Sequence, residues 1–526
     1  MAQHAEWTLF HLLENAAQRT PQQVAVVDGE TRYTYAQLRA LSARLAGALL
    51  AQGLRRGDRV GIYLEKSIEA LVAMTAVAHA GGVYVNLNPQ LRSVQASHIM
   101  QNCQVRMLVA DAARLLDEPL PPYEVALVRG PGCPKAPNAA RTLALEPILE
   151  GHPEAPPTTP ATESDLGTII YTSGSTGMPK GIMLTHHNIV VGAQIVSTYL
   201  GNVPEDRVLS VLPLNFDVGM NQFTCMLRVG GTLVLQHSQL PGELLKSLRK
   251  HRITGLAGVP GVWALLNQNR KSLQREPLTE LRYISNTGGM IPGPHLDSLI
   301  ELLPHTRIFL MYGLTEAFRS TFLDPAEVKR GPACIGKAIP DTDIWVVRPD
   351  GSETDPDEVG ELIHRGPTVA LGYWGDPVKT SQVYRPNPFA PPETMGRDQV
   401  VYSGDLVRRD KDGFLYYEGR RDEQIKTQGY RVSPLEIEEL VHATGLVHEA
   451  AAFGKKDDTL GQRIVVICSL KPGVTATQET VKGLIAKQAP PHLIPQEVHF
   501  LAEMPKNPNG KIDRSALRHE YASDKH

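Results

Sequence analysis

Cysteine is scarce in this chain: Cys103, Cys133, Cys225, Cys334 and Cys468 are the 5 among 526 residues, with no Cys-x-x-Cys pair and no histidine at ligand spacing. That spacing excludes a disulfide framework and a structural zinc site, suits a reduced compartment, and leaves each cysteine as a small buried apolar residue. Charge of one sign is missing too. Lys+Arg 53 against Asp+Glu 56 gives a net charge of -3, so there is no global electrostatic case for nucleic acid or an anionic membrane. The expected partners are small molecules or a protein. Long apolar runs are absent as well; the longest, residues 68–85, is interrupted by Glu69, His79 and Gly81-Gly82 and reads as a buried helix followed by a strand. The first ten residues lack a basic stretch ahead of an apolar core, so no signal peptide is expected, and the expectation is a soluble cytoplasmic protein. No internal repeat is found.

What is present is alternation. Leu38, Leu41, Leu45 and Leu49 recur at helical spacing ahead of Gly53; then come a strand at 59–64, a helix at 68–80, a strand at 83–87, a helix at 95–102 and a strand at 105–110. Short connections between them argue for βαβ units on a largely parallel sheet. From 116 to 162 prolines cluster and periodicity fades, which reads as a connecting region. A second αβ series follows, with strands at 207–211, 231–235, 281–285 and 307–310 and helices at 242–251 and 261–269. Between 344 and 417 short strands and Gly/Pro/Asp turns argue for antiparallel β. Beyond Arg420-Arg421-Asp422 the pattern restarts with a helix (434–442), a strand (463–470) and a helix (477–487). A boundary at Arg421 or Asp422 would divide the chain into 1–421 and 422–526.

The densest chemistry lies in Tyr171-Thr172-Ser173-Gly174-Ser175-Thr176-Gly177-Met178-Pro179-Lys180-Gly181, after the apolar strand 167–170. Glycine lets the backbone approach a ligand, so the loop offers N–H groups and hydroxyls to a polyphosphate. Its spacing is not that of a P-loop NTPase, and a Gly/Ser loop by itself reads more readily as a plain linker. Met311-Tyr312-Gly313-Leu314-Thr315-Glu316 ends a strand with a carboxylate beside an aromatic, suited to a divalent cation and a stacked base, or simply a solvated strand end. Asp405 and Arg420 flank a predicted strand around Tyr417; they could hold ribose hydroxyls or form an exposed ion pair. Lys426 is either a ligand contact or a solvated lysine, and Lys511 sits on an Asn-Gly turn where a surface lysine is commonplace.

Taken as an ordered set, these segments resemble the adenylate-forming superfamily of AMP-forming acyl-CoA synthetases, peptide-synthetase adenylation domains and luciferases, over nearly the whole chain. The resemblance implies an α/β multidomain fold like acetyl-CoA synthetase, with two parallel αβ sheets, a small β-barrel-like subdomain and a small α+β C-terminal lid. It further implies ATP on Thr172, Ser173, Gly174, Ser175, Thr176, Gly177, Lys180, Gly288, Gly289, Met311, Tyr312, Gly313, Thr315, Asp405, Tyr417 and Arg420, with Mg²⁺ on Glu316 and Thr172. Lys511, Glu316 and Thr172 take the catalytic roles, Asp422 is the hinge, and Lys426 and Gly429 serve the thiol step. Within Leu212-Pro-Leu-Asn-Phe-Asp217-Val-Gly-Met-Asn221-Gln222, Asp217 stands where amino-acid-activating domains pair the α-ammonium group. Asn221 and Arg319 complete the expected acid site, although Arg319 could equally neutralise Asp217 or bind an acidic substrate. The whole looks most like free-standing ligases that load proline or another amino acid onto a carrier protein, or that accompany exosortase systems. Asp-Ser-Leu occurs once, as Asp297-Ser298-Leu299 within the second αβ series and not in a segment of its own, so no carrier domain is expected in this sequence. The acceptor is then a separate carrier protein's phosphopantetheine or CoA. An acyl-CoA synthetase for a fatty or aryl acid and a luciferase-type monooxygenase are the alternatives.

Overall fold

The computed structural model describes residues 6–521 except 92, 117–119, 133–134, 173–177, 239, 292, 395–397, 421–424, 433, 472, 506–511 and 513. Three sheets organise these residues. The first has seven strands in the order Ala139–Ala144, Tyr123–Arg129, Met107–Asp111, Arg59–Tyr63, Val83–Asn86, Leu166–Thr172, Lys180–Thr185, parallel except for the last pair. Its inner strands are mostly apolar and buried at nearly every position, as a sheet covered on both faces requires.

The second sheet has fourteen strands. Its parallel half runs Val24–Asp28, Thr232–Leu235, Arg207–Ser210, Gly255–Gly258, Tyr283–Asn286, Arg307–Tyr312, and it continues without a break into antiparallel strands that include Val359–Arg365, Gln399–Arg409 and Leu415–Arg420. The strands expected to make a barrel-like unit are therefore an open continuation of this sheet, and among the described residues no barrel closes. The region 116–162 also differs from expectation. Instead of a bare connector it supplies two parallel edge strands, Tyr123–Arg129 and Ala139–Ala144, and the helix Leu145–Gly151. Apart from Pro147, in the first turn of that helix, its prolines fall between these elements, where proline costs no ladder hydrogen bond.

Helices pack between and around the sheets. Ile68–His79 is buried at nearly every position and starts at the Ser67 cap. His186–Leu200 opens on a reciprocal Thr185/Asn188 capping box and closes on left-handed Gly201. Asp217–Val229 follows Phe216 and ends on Gly230, also left-handed. At Gly219 a β-carbon would lie 1.9 Å from the Pro213 carbonyl oxygen, so glycine is what lets this helix start tight against the preceding turn.

The C-terminal residues form a third sheet, Tyr430–Val432, Ile425–Thr427, Gly461–Leu470, Val447–Asp457, with Glu497–Phe500 added in parallel. It carries its own apolar clusters, one around Ile425, Val441, Ile464, Val466 and Val481 and one around Phe453, Ile467 and Leu517. Among the described residues no helix is long and apolar enough to cross a membrane.

Candidate active site

A cleft of about 1000 Å³ lies at the ends of the strands, where the large sheets meet the C-terminal sheet. Thr172 and Lys180 stand opposite each other in the antiparallel pair that brackets the Gly/Ser loop. Both line the cleft. Ser173, Gly174, Ser175, Thr176 and Gly177 lie outside the described residues, as do Asp422 and Lys511. Burial, and then the charge of Lys379, hold the Lys180 ammonium below the ordinary lysine range. A polyphosphate brought to it would reverse that tendency.

Gly313, Thr315 and Glu316 follow the strand Arg307–Tyr312 and border the same cleft. Tyr373 donates its hydroxyl to Glu316 Oε1 at 2.7 Å, fixing the carboxylate. Nothing in Gly372-Tyr373-Trp374 signalled this role, because the contact joins positions far apart in the chain. Thr172 and Glu316 give one carboxylate and one hydroxyl on a shared cleft wall, an all-oxygen set that fits Mg²⁺ when phosphate oxygens and water complete it.

Tyr312, Asp405, Tyr417 and Lys426 form a connected cluster. Asp405 is fully buried and accepts the Tyr312 hydroxyl on one oxygen and the Tyr417 hydroxyl, at 3.4 Å, on the other. Lys426 Nζ donates to the Tyr417 hydroxyl at 2.7 Å, the ring lying 4.0 Å from it. Arg420 is the strand partner of Asp405, its side chain outside the described set. Gly289 accepts Asn286 Nδ2 at 2.8 Å, and Gly288 is left-handed at φ 73°.

Gly288 meets the C-terminal sheet directly. The hairpin between Ile425–Thr427 and Tyr430–Val432 turns on Gln428 and Gly429, both left-handed at φ 53° and 82°, the two-residue turn that twisted strands favour. A β-carbon on Gly429 would sit 2.7 Å from the Val259 side chain, and one on Gly288 3.4 Å from the Gly429 carbonyl. Beside it Tyr430 packs edge-on against Phe216 at 5.1 Å and stacks on His492 at 3.6 Å. These aromatic seam residues were not anticipated, and only the position of Tyr430 next to Gly429 pointed to them.

Asp217 begins its helix with its side chain turned back. Oδ1 accepts the Val218 N–H at 2.8 Å and Oδ2 accepts Arg319 Nη1 at 3.2 Å. Arg319 is 3% exposed and also donates to the Phe318 carbonyl at 2.6 Å. Phe318 itself is left-handed at φ 57°, a costly conformation for a bulky residue, and this turn aims Arg319 inward. Asp217 and Arg319 line the cleft, whereas Asn221 and Met311 line a smaller cavity behind it.

The chain matches the AMP-binding enzyme family over residues 13–374 and the AMP-binding enzyme C-terminal domain over residues 436–511. It belongs to the AMP-binding enzyme family. Membership places it in the adenylate-forming superfamily. The L-proline--[L-prolyl-carrier protein] ligase of Pseudomonas fluorescens is 30% identical over 524 residues, covering 97% of this chain and 98% of that protein. Bacitracin synthase 3 of Bacillus licheniformis is 30% identical over 518 residues, 97% of this chain but 8% of the synthase, so the chain spans less than a tenth of that relative's length. Among solved structures, o-succinylbenzoate CoA synthetase of Bacillus subtilis superposes with a TM-score of 0.82 at 24% identity over 97% of this chain and 98% of that one. The amide bond synthetase McbA of Marinactinospora thermotolerans gives 0.84 at 22% identity, over 98% and 100%. These two likenesses carry the fold alone.

Proposed function

We propose that this AMP-binding enzyme joins a carboxylic acid to a thiol at the expense of ATP, through an acyl or aminoacyl adenylate. The observation that carries the reading is a single cleft bordered by the base of the Gly/Ser loop, the Glu316 carboxylate, the Asp217–Arg319 pair and the Gly429 hairpin. A carboxylate is a poor acyl donor because oxide would have to leave. In the first half-reaction a substrate carboxylate oxygen attacks the α-phosphorus of ATP, the bond to pyrophosphate breaks, and the acid gains AMP as a leaving group. Thr172, Lys180 and the loop donors would hold the phosphates, Lys511 would bridge carboxylate and phosphate, and Asp405 with Arg420 would hold the ribose. Magnesium on Glu316 and Thr172 would spread the phosphate charge.

In the second half-reaction a thiolate attacks the acyl carbon and AMP departs. We assign this step to rotation of residues 422–526 about Asp422, with Gly429 giving the thiol's arm close passage. The closeness of Gly429 to Gly288 and Val259 supports the present arrangement as the one that serves it. For the acid we favour a small amino acid, its α-ammonium on Asp217, a class that the prolyl-carrier ligase relative supports. For the acceptor we favour phosphopantetheine on a separate carrier protein, with CoA as the alternative. Incubation with ATP, Mg²⁺, single acids and either CoA or pantetheine, followed by mass spectrometry, should give a thioester of one acid plus AMP. Free AMP with no thioester on any thiol would remove the second half-reaction.

A further inference from the structure

The acid site has an inner compartment. Val218 and Arg319 border both the cleft and a small cavity of about 20 Å³ beside it, room for about one water-sized group. The cavity lies between the helices His186–Leu200 and Asp217–Val229 and the parallel strands. Five buried polar atoms on its lining residues have no partner among the described residues: Gln222 Nε2, Gln222 Oε1, Ser285 Oγ, Asn202 Oδ1 and Arg319 Nε. Gln222, Ser285 and Arg319 are 7%, 1% and 3% exposed, so bulk water does not serve them. Native structures leave few such atoms, because each one stranded is costly, and one water makes about four hydrogen bonds at most.

Charge points the same way. Asp217 is already neutralised by Arg319, so an α-ammonium group arriving at Asp217 would leave one positive charge in excess in a buried space. A plain hydrocarbon tail, proline's ring included, offsets neither that charge nor the unpaired donors. A carboxylate on the tail offsets both, and a carboxamide satisfies the donors.

Resting on the reading of this cleft as the acid site, we propose that the acid activated here carries a second oxygen function, a carboxylate or carboxamide, on a short tail, with one oxygen reaching into the inner compartment. There it accepts the Arg319 Nε–H and pairs with Gln222 and Ser285. The specificity residues are thus Arg319, Gln222 and Ser285, and proline becomes a poor substrate.

Pyrophosphate release with ATP and Mg²⁺ tests this on acids that share a branched γ-carbon: aspartate, asparagine and leucine with the amine, and succinate, succinamate and 4-methylpentanoate without it, together with proline. The expected result is a kcat/KM for an oxygen-bearing acid about tenfold or more above its hydrocarbon counterpart. Aspartate ahead of asparagine would assign a carboxylate, and the reverse a carboxamide. The ratio should fall toward unity in Ser285→Ala and Gln222→Leu, two changes that leave the Asp217–Arg319 pair in place. Leucine, 4-methylpentanoate or proline as the best substrate, or a ratio unmoved in both variants, overturns the inference while leaving the ligase reaction standing. Release with none of the acids overturns the inference and, for small acids, the proposed reaction with it.

Discussion

Asp217 and Arg319 hold each other in the interior, and at the scale of single residues this pair governs both stability and acid choice. Removing one partner strands a buried charge, which costs about 3–5 kcal/mol, whereas an apolar replacement of both is often close to neutral. We expect Asp217→Ala to lower the urea midpoint strongly and Asp217→Ala/Arg319→Leu to recover much of it. Additive losses in the double variant would mean that the two side chains do not interact. Gly219 sets the register of the same helix. Gly219→Ala would drive a methyl into the Pro213 carbonyl 1.9 Å away, so acid-dependent pyrophosphate release should drop by about 100-fold through displacement of Asp217. Unchanged release would show that the turn yields without moving the carboxylate.

Among the elements, the Gln428–Gly429 hairpin is the one whose effect can be separated. Gly429→Ala places a β-carbon at φ 82° and 2.7 Å from Val259, so the hairpin must withdraw from the cleft. Pyrophosphate release should persist while thioester formation falls by about 100-fold, read by following both products in one assay. Equal loss of both would tie the hairpin to adenylation as well. This element was legible in the sequence only through the family resemblance, which implied a close-approach role for Gly429. The strand Gly255–Gly258 was not, since two glycines in four residues carry no strand pattern and only its neighbours Arg207–Ser210 and Tyr283–Asn286 hold it extended. The edge strands Tyr123–Arg129 and Ala139–Ala144 were hidden by the prolines around them. At the site, Glu316 and Asp217 could be singled out by residue type within a motif. Tyr373, Gln222 and Ser285 could not, because their meaning comes from what the fold sets beside them.

For the molecule as a whole, three buried histidines report on acid stability. Burial pushes the imidazoles of His186, His364 and His492 down to about 4, 3 and 3. In the unfolded chain each titrates near ~6.5, so below that pH the unfolded state binds more protons than the folded one. Stability is therefore full above about pH 6.5 and is lost as pH falls toward 4, by roughly 1–2 kcal/mol per histidine at pH 5. Urea midpoints at pH 7 and 5 should show this loss, reduced in His364→Asn; a pH-independent midpoint would contradict the neutral state of these rings. The reaction itself is tested most directly by exchange of labelled pyrophosphate into ATP. Exchange that requires an acid, yields AMP and not ADP, and is lost in Lys511→Ala is the expected result. Exchange independent of any acid, cleavage of ATP to ADP, or full activity in Lys511→Ala would contradict adenylate formation in this cleft.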